Sequence, residues 1–160
     1  MIACGHLFLR MLSEQEMEQL LCVGQHLLPE PALTEEIRAA IAYKTGQMKR
    51  TPEEAHPWLS YWLICERKSG QGIGLIGSKH LPDEKGYVEL GYAISREWRN
   101  RGYMTEALEG FLDWLFQWPF CSGALLSIQS ENVPSKRVAE KCGFCSEREQ
   151  GMYEIFRYDF

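Results

Sequence analysis

The chain has 160 residues and a mass of 18.5 kDa, a size that suits one domain, 1–160, with one packed core. Hydrophobic residues make up 45% and charged residues 24%, and the sequence has no polar tract or internal repeat, so neither a disordered chain nor a solenoid is indicated. The formal net charge of −5, with acidic residues spread along the chain, argues against a nucleic-acid-binding protein. No charged leader precedes a long apolar run, so we expect a soluble cytoplasmic protein without a membrane partner.

The elements can be placed from capping signals, turn residues and hydrophobic periodicity. Ser13 and Glu16 form a capping box, Pro29 and Pro31 form a break, and Thr34 caps a second helix. In chain order the predictions are a strand at 7–11, helices at 13–22 and 34–50, strands at 61–66, 72–80 and 87–94, a helix from about 102 to before 119, a strand at 124–129, a helix at 134–142, and strands at 144–148 and 152–159.

The strongest helix carries an apolar stripe from Met104 to Leu115 at helical spacing. With this helix the element order is βααβββαβαββ. It predicts an α+β fold in which a mixed sheet of about seven strands is flanked by four helices.

The segment QGIGLIGS, residues 71–78, contains G-x-G-x-x-G at Gly72, Gly74 and Gly77. A dinucleotide-binding fingerprint needs a strand before the first glycine and a helix after the third. Turn residues precede Gly72, and Pro82 follows too soon for a crossover helix. The segment is therefore predicted to be a strand whose glycines allow a neighbouring backbone to approach or a bulge to form.

Six cysteines are scattered without framework spacing, and we expect them to be reduced and mostly buried. Cys142 and Cys145 form a C-x-x-C, but no second ligand pair accompanies them, so no metal site is predicted. Gly143 is predicted to close the preceding helix in the left-handed conformation, with Phe144 folding back.

The turn from Arg96 to Gly102 brings three arginines and a glycine to the start of the long helix. Free amides at a helix start form an anion site, and the glycine leaves room for a phosphate. An isolated R-x-x-G would more often be a solvated basic turn.

The context of this turn is distinctive. The stretch from Gly91 to Leu108, GYAISREWRNRGYMTEAL, resembles the acetyl-CoA-binding motif of the GNAT acetyltransferases, and 131–144, ENVPSKRVAEKCGF, is similar to the second signature of that family. The resemblance covers the whole chain and is greatest to the ribosomal-protein-alanine acetyltransferase branch. It implies an acetyl-CoA-dependent N-acetyltransferase without a metal, a primary-amine acceptor, and a monomer or homodimer.

The resemblance also implies which residues contact the coenzyme. Met104 stands where the family usually has glycine or alanine, so its side chain must point into the core. Lys136, Arg137 and Lys141 would add positive charge near the phosphates. The implied pyrophosphate site comprises Arg99, Asn100, Arg101, Gly102, Tyr103, Met104 and Thr105, and the implied pantetheine site comprises Ala93, Ile94 and Asn132.

Two residues are candidates for catalysis. Glu89 occupies a strand position from which family members often supply a base, although a solvent-facing carboxylate is nearly as good an interpretation. The family tyrosine that acts as an acid for the thiolate is replaced by Ala139, and Ser135 is the substitute suggested by the ribosomal branch. A serine that only caps the helix explains Ser135 about equally well.

The acceptor is less well defined than the donor. Neutralising an α-amine at pH 7 requires only about 1.4 kcal/mol, against about 4.6 kcal/mol for a lysine side chain. A terminal or small-molecule α-amine is therefore the easier acceptor, and the resemblance to the ribosomal branch favours a protein or peptide N-terminal α-amine. The alternatives are a small-molecule amine and a catalytically silent acyl-CoA-binding module.

Overall fold

A computed structural model describes residues 1–29 and 32–160. The predicted break at Pro31 lies outside the described residues. Each helix among the described residues is too short or too polar to span a bilayer.

The strands are β1 (Ile2–Ala3), β2 (Leu7–Met11), β3 (Trp62–Glu66), β4 (Gly72–Ser78), β5 (Tyr87–Ile94), β6 (Gly123–Gln129), β7 (Cys145–Gln150) and β8 (Tyr153–Asp159), and the α-helices are α1 (Glu14–Gln19), α2 (Glu35–Met48), α3 (His56–Leu59), α4 (Tyr103–Phe116) and α5 (Val133–Lys141).

All eight strands join one mixed sheet in the order β1-β2-β3-β4-β5-β6-β8-β7. Among the strands that the structure describes, only the β5–β6 pair is parallel. The predicted α+β class with mixed pairing is confirmed. The described part of the chain has one more strand and one more helix than predicted, because the two-residue β1 and the four-residue α3 are too short to show a periodicity.

Each face of the sheet has its own hydrophobic cluster. On one face α4 buries the predicted stripe, including Met104 and Phe111, against sheet residues such as Val88 and Leu90. On the other face α1 and α2 cover β3 and β4 through Met17 and other apolar side chains. The second cluster contains no residue of β5, β6, β7 or β8, so this face is open above those strands.

The glycines of β4 explain why the segment is a strand rather than a nucleotide loop. A Cβ at Gly72 would lie 2.1 Å from the carbonyl oxygen of Leu27, and one at Gly74 would lie 2.4 Å from that of Ala93. The register also shifts between Ile64 and Cys65 of β3, opposite these glycines. Both predicted consequences, close backbone approach and a bulge, are confirmed.

The ends of the helices follow the predicted signals with small shifts. The capping box of Ser13 and Glu16 is present, but α1 ends at Gln19 rather than near residue 22. Gly143 has φ +88° and the Phe144 amide returns to the carbonyl of Ala139 at 3.0 Å, as predicted.

The cysteines only partly match the prediction of burial. All six are free, and Cys65, Cys121 and Cys142 are buried. Cys22 and Cys145 are exposed, because α1 ends before Cys22 and β7 is the exposed edge strand of the sheet.

Candidate active site

The parallel strands β5 and β6 separate towards their carboxyl ends. Their pairing extends from Tyr87 opposite Gly123 to Leu90 opposite Leu126 and then stops. Both strands continue, β5 to Ile94 and β6 to Gln129. The part of β5 from 91 to 94 therefore has an open edge on the side that faces β6.

The antiparallel register with β4 decides which backbone groups face this gap. The amide of Ser95 donates to the Ile73 carbonyl at 2.8 Å. In an antiparallel pair every second residue forms its backbone hydrogen bonds with the neighbouring strand, so the residues of β5 that bond to β4 are those an even number of positions before Ser95. The backbone of Ala93 is thus directed to β4. The amides of Tyr92 and Ile94 are directed into the gap. The register favours Tyr92 and Ile94 over Ala93 as backbone partners of a ligand.

The gap leads to the start of α4, where the backbone has two left-handed residues. Asn100 has φ +60° and Gly102 has φ +78°. No side chain caps α4, although side chains cap α1, α2 and α5 among the described helices. A Cβ at Gly102 would meet no atom within 4 Å. The first amides of α4 therefore face open space at the positive end of the helix dipole, which fits an anionic group.

The arginines of the turn have different roles. Arg99 donates from Nε to the Ile94 carbonyl at 3.2 Å, which ties the end of β5 to the turn. The guanidinium of Arg101 lies over the ring of Trp98, 5.0 Å from its centre. Each keeps further N–H groups for a phosphate, because a guanidinium has five donors.

A cavity of about 430 Å³ lies beside the gap. Its walls include Gly91 and Ala93 of β5, Ile37 and Ala40 of α2, and the end of β6. A smaller cavity of about 340 Å³ adjoins it over the open face of β6, β8 and β7. Lys79, Ser127 and Tyr153 line both cavities.

Asn132 and Ser135 lie on the wall of the larger cavity. The Asn132 side chain caps α5 by accepting from the Ser135 amide at 3.2 Å, which leaves its NH₂ group for a ligand. The capping explanation for the Ser135 hydroxyl is wrong, since the cap comes from Asn132. In the described part of the chain, the Ser135 hydroxyl makes no hydrogen bond.

Ala139, at the position of the family tyrosine, is fully buried. The phenol of Tyr92 donates to the Ser135 carbonyl of the same helix at 3.2 Å. Burial raises the pKa of Tyr92 above its ordinary value, so the phenol stays protonated at neutral pH.

Glu89 forms an ion pair with Lys79, with Nζ and Oε1 2.6 Å apart. Burial raises the pKa of Glu89, but hydrogen bonds from Lys79 and Ser127 and the charges of Lys79 and His80 outweigh it, so the pKa is lowered overall. The carboxylate is thus ionised and half-buried rather than a free solvent-facing group.

The basic residues of α5 are less available than the sequence suggested. Lys136 pairs with Glu154 of β8. Arg137 and Lys141 are exposed and remain available to an anion.

Comparison with known proteins defines the family. The profile of the acetyltransferase (GNAT) domain matches residues 5–145. The chain belongs to the GNAT acetyltransferase family. The predicted resemblance to this family is therefore confirmed.

A curated relative of this GNAT chain is the uncharacterized N-acetyltransferase YjdG of Bacillus subtilis (strain 168). It is 27% identical over 97 residues, which cover 61% of this chain and 58% of YjdG. The alignment thus spans less than two thirds of that relative.

Two solved GNAT structures share the fold. The ribosomal-protein-S5-alanine acetyltransferase from Vibrio fischeri has a TM-score of 0.72 at 14% identity, with 98% of this chain and 94% of that chain covered. The structure of AAC(6')-Ib in complex with ribostamycin and coenzyme A has a TM-score of 0.68 at 14% identity, with 97% and 94% covered. The two names point to different acceptors, so the comparison supports the fold and leaves the acceptor to be argued from the site.

Two residues were missed by the sequence analysis. Lys79 could have been found by counting back from the turn at 82–86, because antiparallel pairing of its flanking strands places Lys79 opposite Glu89. Tyr92 lies within the strand predicted at 87–94, and only the register shows that its amide faces the gap.

Proposed function

We propose that this GNAT protein transfers the acetyl group of acetyl-CoA to a primary amine, and that the amine is the N-terminal α-amine of a protein or peptide. The observation that carries the proposal is the gap beside β5 leading to the uncapped start of α4. Together they offer a strand edge for an amide-containing arm and a helix start for a diphosphate.

The proposed pyrophosphate site uses main-chain donors first. The amides of Tyr103, Met104 and Thr105 contribute hydrogen bonds, and Gly102 leaves room for phosphate oxygens. Met104 contributes only its amide, since its side chain is buried in the core. Arg99, Asn100 and Arg101 complete the site. The helix dipole contributes about 0.3–1 kcal/mol, so direct hydrogen bonds and the arginines must account for most of the affinity.

The proposed pantetheine site is the open edge of β5. The amides of Tyr92 and Ile94 bind the arm as a strand would, and Ala93 supplies the small side chain that lines the wall. The free NH₂ of Asn132 and the Ser135 hydroxyl are polar groups at the same wall. Bound acetyl-CoA supplies the acyl group, and the protein positions the carbonyl for attack by an amine.

Glu89 is proposed to receive the ammonium group of the acceptor. Because its pKa is lowered, it is a weak base that holds the ammonium and passes the proton to water. An α-amine with a pKa near 8 needs only about 1.4 kcal/mol to become neutral at pH 7, which a weak base and water can meet. This energetic argument favours an α-amine over a lysine side chain.

A small-molecule amine is the second candidate, because α2 and the sheet enclose the larger cavity on two sides. An acceptor screen separates the candidates. Thiol release from acetyl-CoA should be fastest with peptides that carry a free amino terminus, and N-acetylated versions of the same peptides should be inactive. Turnover confined to polyamines or amino sugars would overturn the peptide assignment. Binding of coenzyme A with no turnover on any amine would instead identify a silent binding module.

A further inference from the structure

The two cavities of the site contain charges of both signs. Within the described residues, the charged groups that line them are Glu36, Glu89, Lys79 and Arg148. Lys79 neutralises one of the two carboxylates. A polycation would need several free carboxylates, and this lining offers only Glu36 without a cation beside it.

The Lys79–Glu89 pair lies at the start of the gap between β5 and β6. A Cβ at Gly91 would be 3.8 Å from the Lys79 Cε, so the lysine chain crosses Gly91, where the gap between β5 and β6 begins. Glu89 lies two residues before Gly91 in β5, so both residues are on the same face of the sheet. Both members of the pair are partly exposed, at 47% for Lys79 and 25% for Glu89, so an acceptor can exchange with either partner.

Arg148 lies across the open face in the cross-strand row of Ser127, two residues along β6 from Leu125, which pairs with Glu89. Ser127 of β6 pairs with Ile155 of β8, and Ile155 pairs with Arg148 of β7. Two strand spacings put the Arg148 backbone about 10 Å from that of Ser127. Arg148 contacts its neighbour Glu147, but Glu147 also pairs with Arg157, and the Arg148 side chain is 54% exposed. Its guanidinium is therefore available to an anion.

We propose that the acceptor carries a carboxylate within about two residues of the reacting amine, with Glu89 binding the ammonium and Lys79 and Arg148 binding the carboxylate. This inference rests on the proposed function and narrows its substrate. The carboxylate has two chemical sources. It is either the molecule's own terminal carboxylate, as in a free amino acid or dipeptide, or an acidic side chain at the start of a longer peptide.

The test uses matched acceptors with the full-length protein and acetyl-CoA. One arm compares dipeptides with their C-terminal amides. The other compares amidated pentapeptides with Glu or Gln at the second position, and spermidine serves as the polycation. The expected result is a kcat/KM at least tenfold higher for the carboxylate member of one pair, and the arm in which this occurs identifies the source. Equal rates within both pairs, or a preference for spermidine, would overturn the inference and leave the acetyltransferase assignment intact.

Two variants connect the preference to the site. Lys79→Met and Arg148→Gln should each lower the ratio of kcat/KM for the carboxylate acceptor to kcat/KM for its amide partner by about tenfold. Lys85→Met removes a lysine from the exposed turn between β4 and β5 and should leave this ratio unchanged. Calorimetric titration of the coenzyme A complex with the acceptors should give the same order of acceptor affinities in the absence of turnover. If both site variants kept the carboxylate preference, the proposed contacts would be wrong.

A lack of any turnover has a separate meaning. If no acceptor is acetylated and coenzyme A does not bind, the proposed function fails, and the inference fails with it. If acetylation occurs without regard to carboxylates, only the inference fails.

Discussion

Lys44 gives the sharpest test of the packing beneath the site. Its side chain is only 4% exposed, and its ammonium donates to the carbonyls of Leu59, at 3.2 Å, and Ser78. The ring of Tyr61 lies 5.0 Å away. Burial, reinforced by the charge of Lys79, lowers the pKa of Lys44 from 10.5 to about 8. The amine therefore loses its proton in the folded protein well before it does so in the unfolded chain.

The pH dependence of stability follows from this difference. Between pH 8 and 10.5 the unfolded state binds more protons than the folded state, so the free energy of unfolding rises with pH. The shift of 2.5 units, from 10.5 to about 8, corresponds to about 3 kcal/mol. This contribution is fully present above pH 10.5 and is lost as the pH falls to about 8.

The variant Lys44→Met isolates the effect. Urea unfolding of both proteins under reducing conditions, at steps from pH 7.5 to 10.5, gives the difference in unfolding free energy between wild type and variant. The other ionisable groups are the same in both proteins, so their contributions largely cancel in this difference. Burial raises the pKa of Tyr61 to about 12, which keeps its phenol protonated in the folded protein over the range. As the pH rises from 7.5 to 10.5, the unfolding free energy of the wild type should increase by about 3 kcal/mol relative to that of the variant. If the unfolding free energies of the two proteins changed in parallel with pH, the pKa of Lys44 would not be lowered in the folded protein.

Three further substitutions test the site itself. Gly102→Ala puts a Cβ on a left-handed residue and should weaken coenzyme A binding about tenfold by calorimetry. In contrast, Gly70→Ala, at a similar φ in a distant turn, should lower stability without changing that affinity. Glu89→Gln should lower kcat at least tenfold with coenzyme affinity intact. The apparent pKa of the rate profile should stay that of the acceptor amine, and a profile that shifted with the variant would make Glu89 the titrating base. Tyr92→Phe removes the hydrogen bond to the Ser135 carbonyl and should cost about 1 kcal/mol of stability by urea unfolding. Because the backbone amide remains, its coenzyme affinity should be unchanged, and a large loss would contradict the assignment of the amide.

Local signals in the sequence predicted most of the elements. The apolar stripe of α4 from Met104 to Leu115 has one period and one buried face, so its helix could be placed from spacing alone. Gly143 marked the end of α5 because few other residues adopt its φ of +88°. The glycine-containing segment of β4 could be predicted as a strand because its flanking residues do not fit a helix.

Other features depend on pairing and could not be predicted from local patterns. The strand β1 has two residues, and Glu106 of α4 fixes the turn that follows it by accepting from the amides of His6 and Leu7 at 2.6 and 3.0 Å. The position of Arg148 opposite Ile155 follows a shift in register within β7. The burial of Lys44 could not be predicted without knowing that α2 lies over the end of β4. The contacts of Glu106 and Lys44 join residues that are far apart in the chain, and the position of Arg148 depends on an irregularity within its hairpin.

The resemblance predicted the residues of the proposed coenzyme site, and the register adds Tyr92 to the backbone groups that are proposed to line it. The motif at 99–105 identified the turn, whereas its uncapped amides are visible only in the structure. The motif did not distinguish Tyr92 from Ala93 as a backbone partner, because that choice depends on which residues of β5 bond to β4.

A crystal structure of the coenzyme A complex tests the central claim most directly. We predict the diphosphate within hydrogen-bonding distance of the amides of Tyr103, Met104 and Thr105, and the pantetheine arm paired with the amides of Tyr92 and Ile94. A diphosphate bound elsewhere, or an arm that does not enter the gap between β5 and β6, would contradict the account.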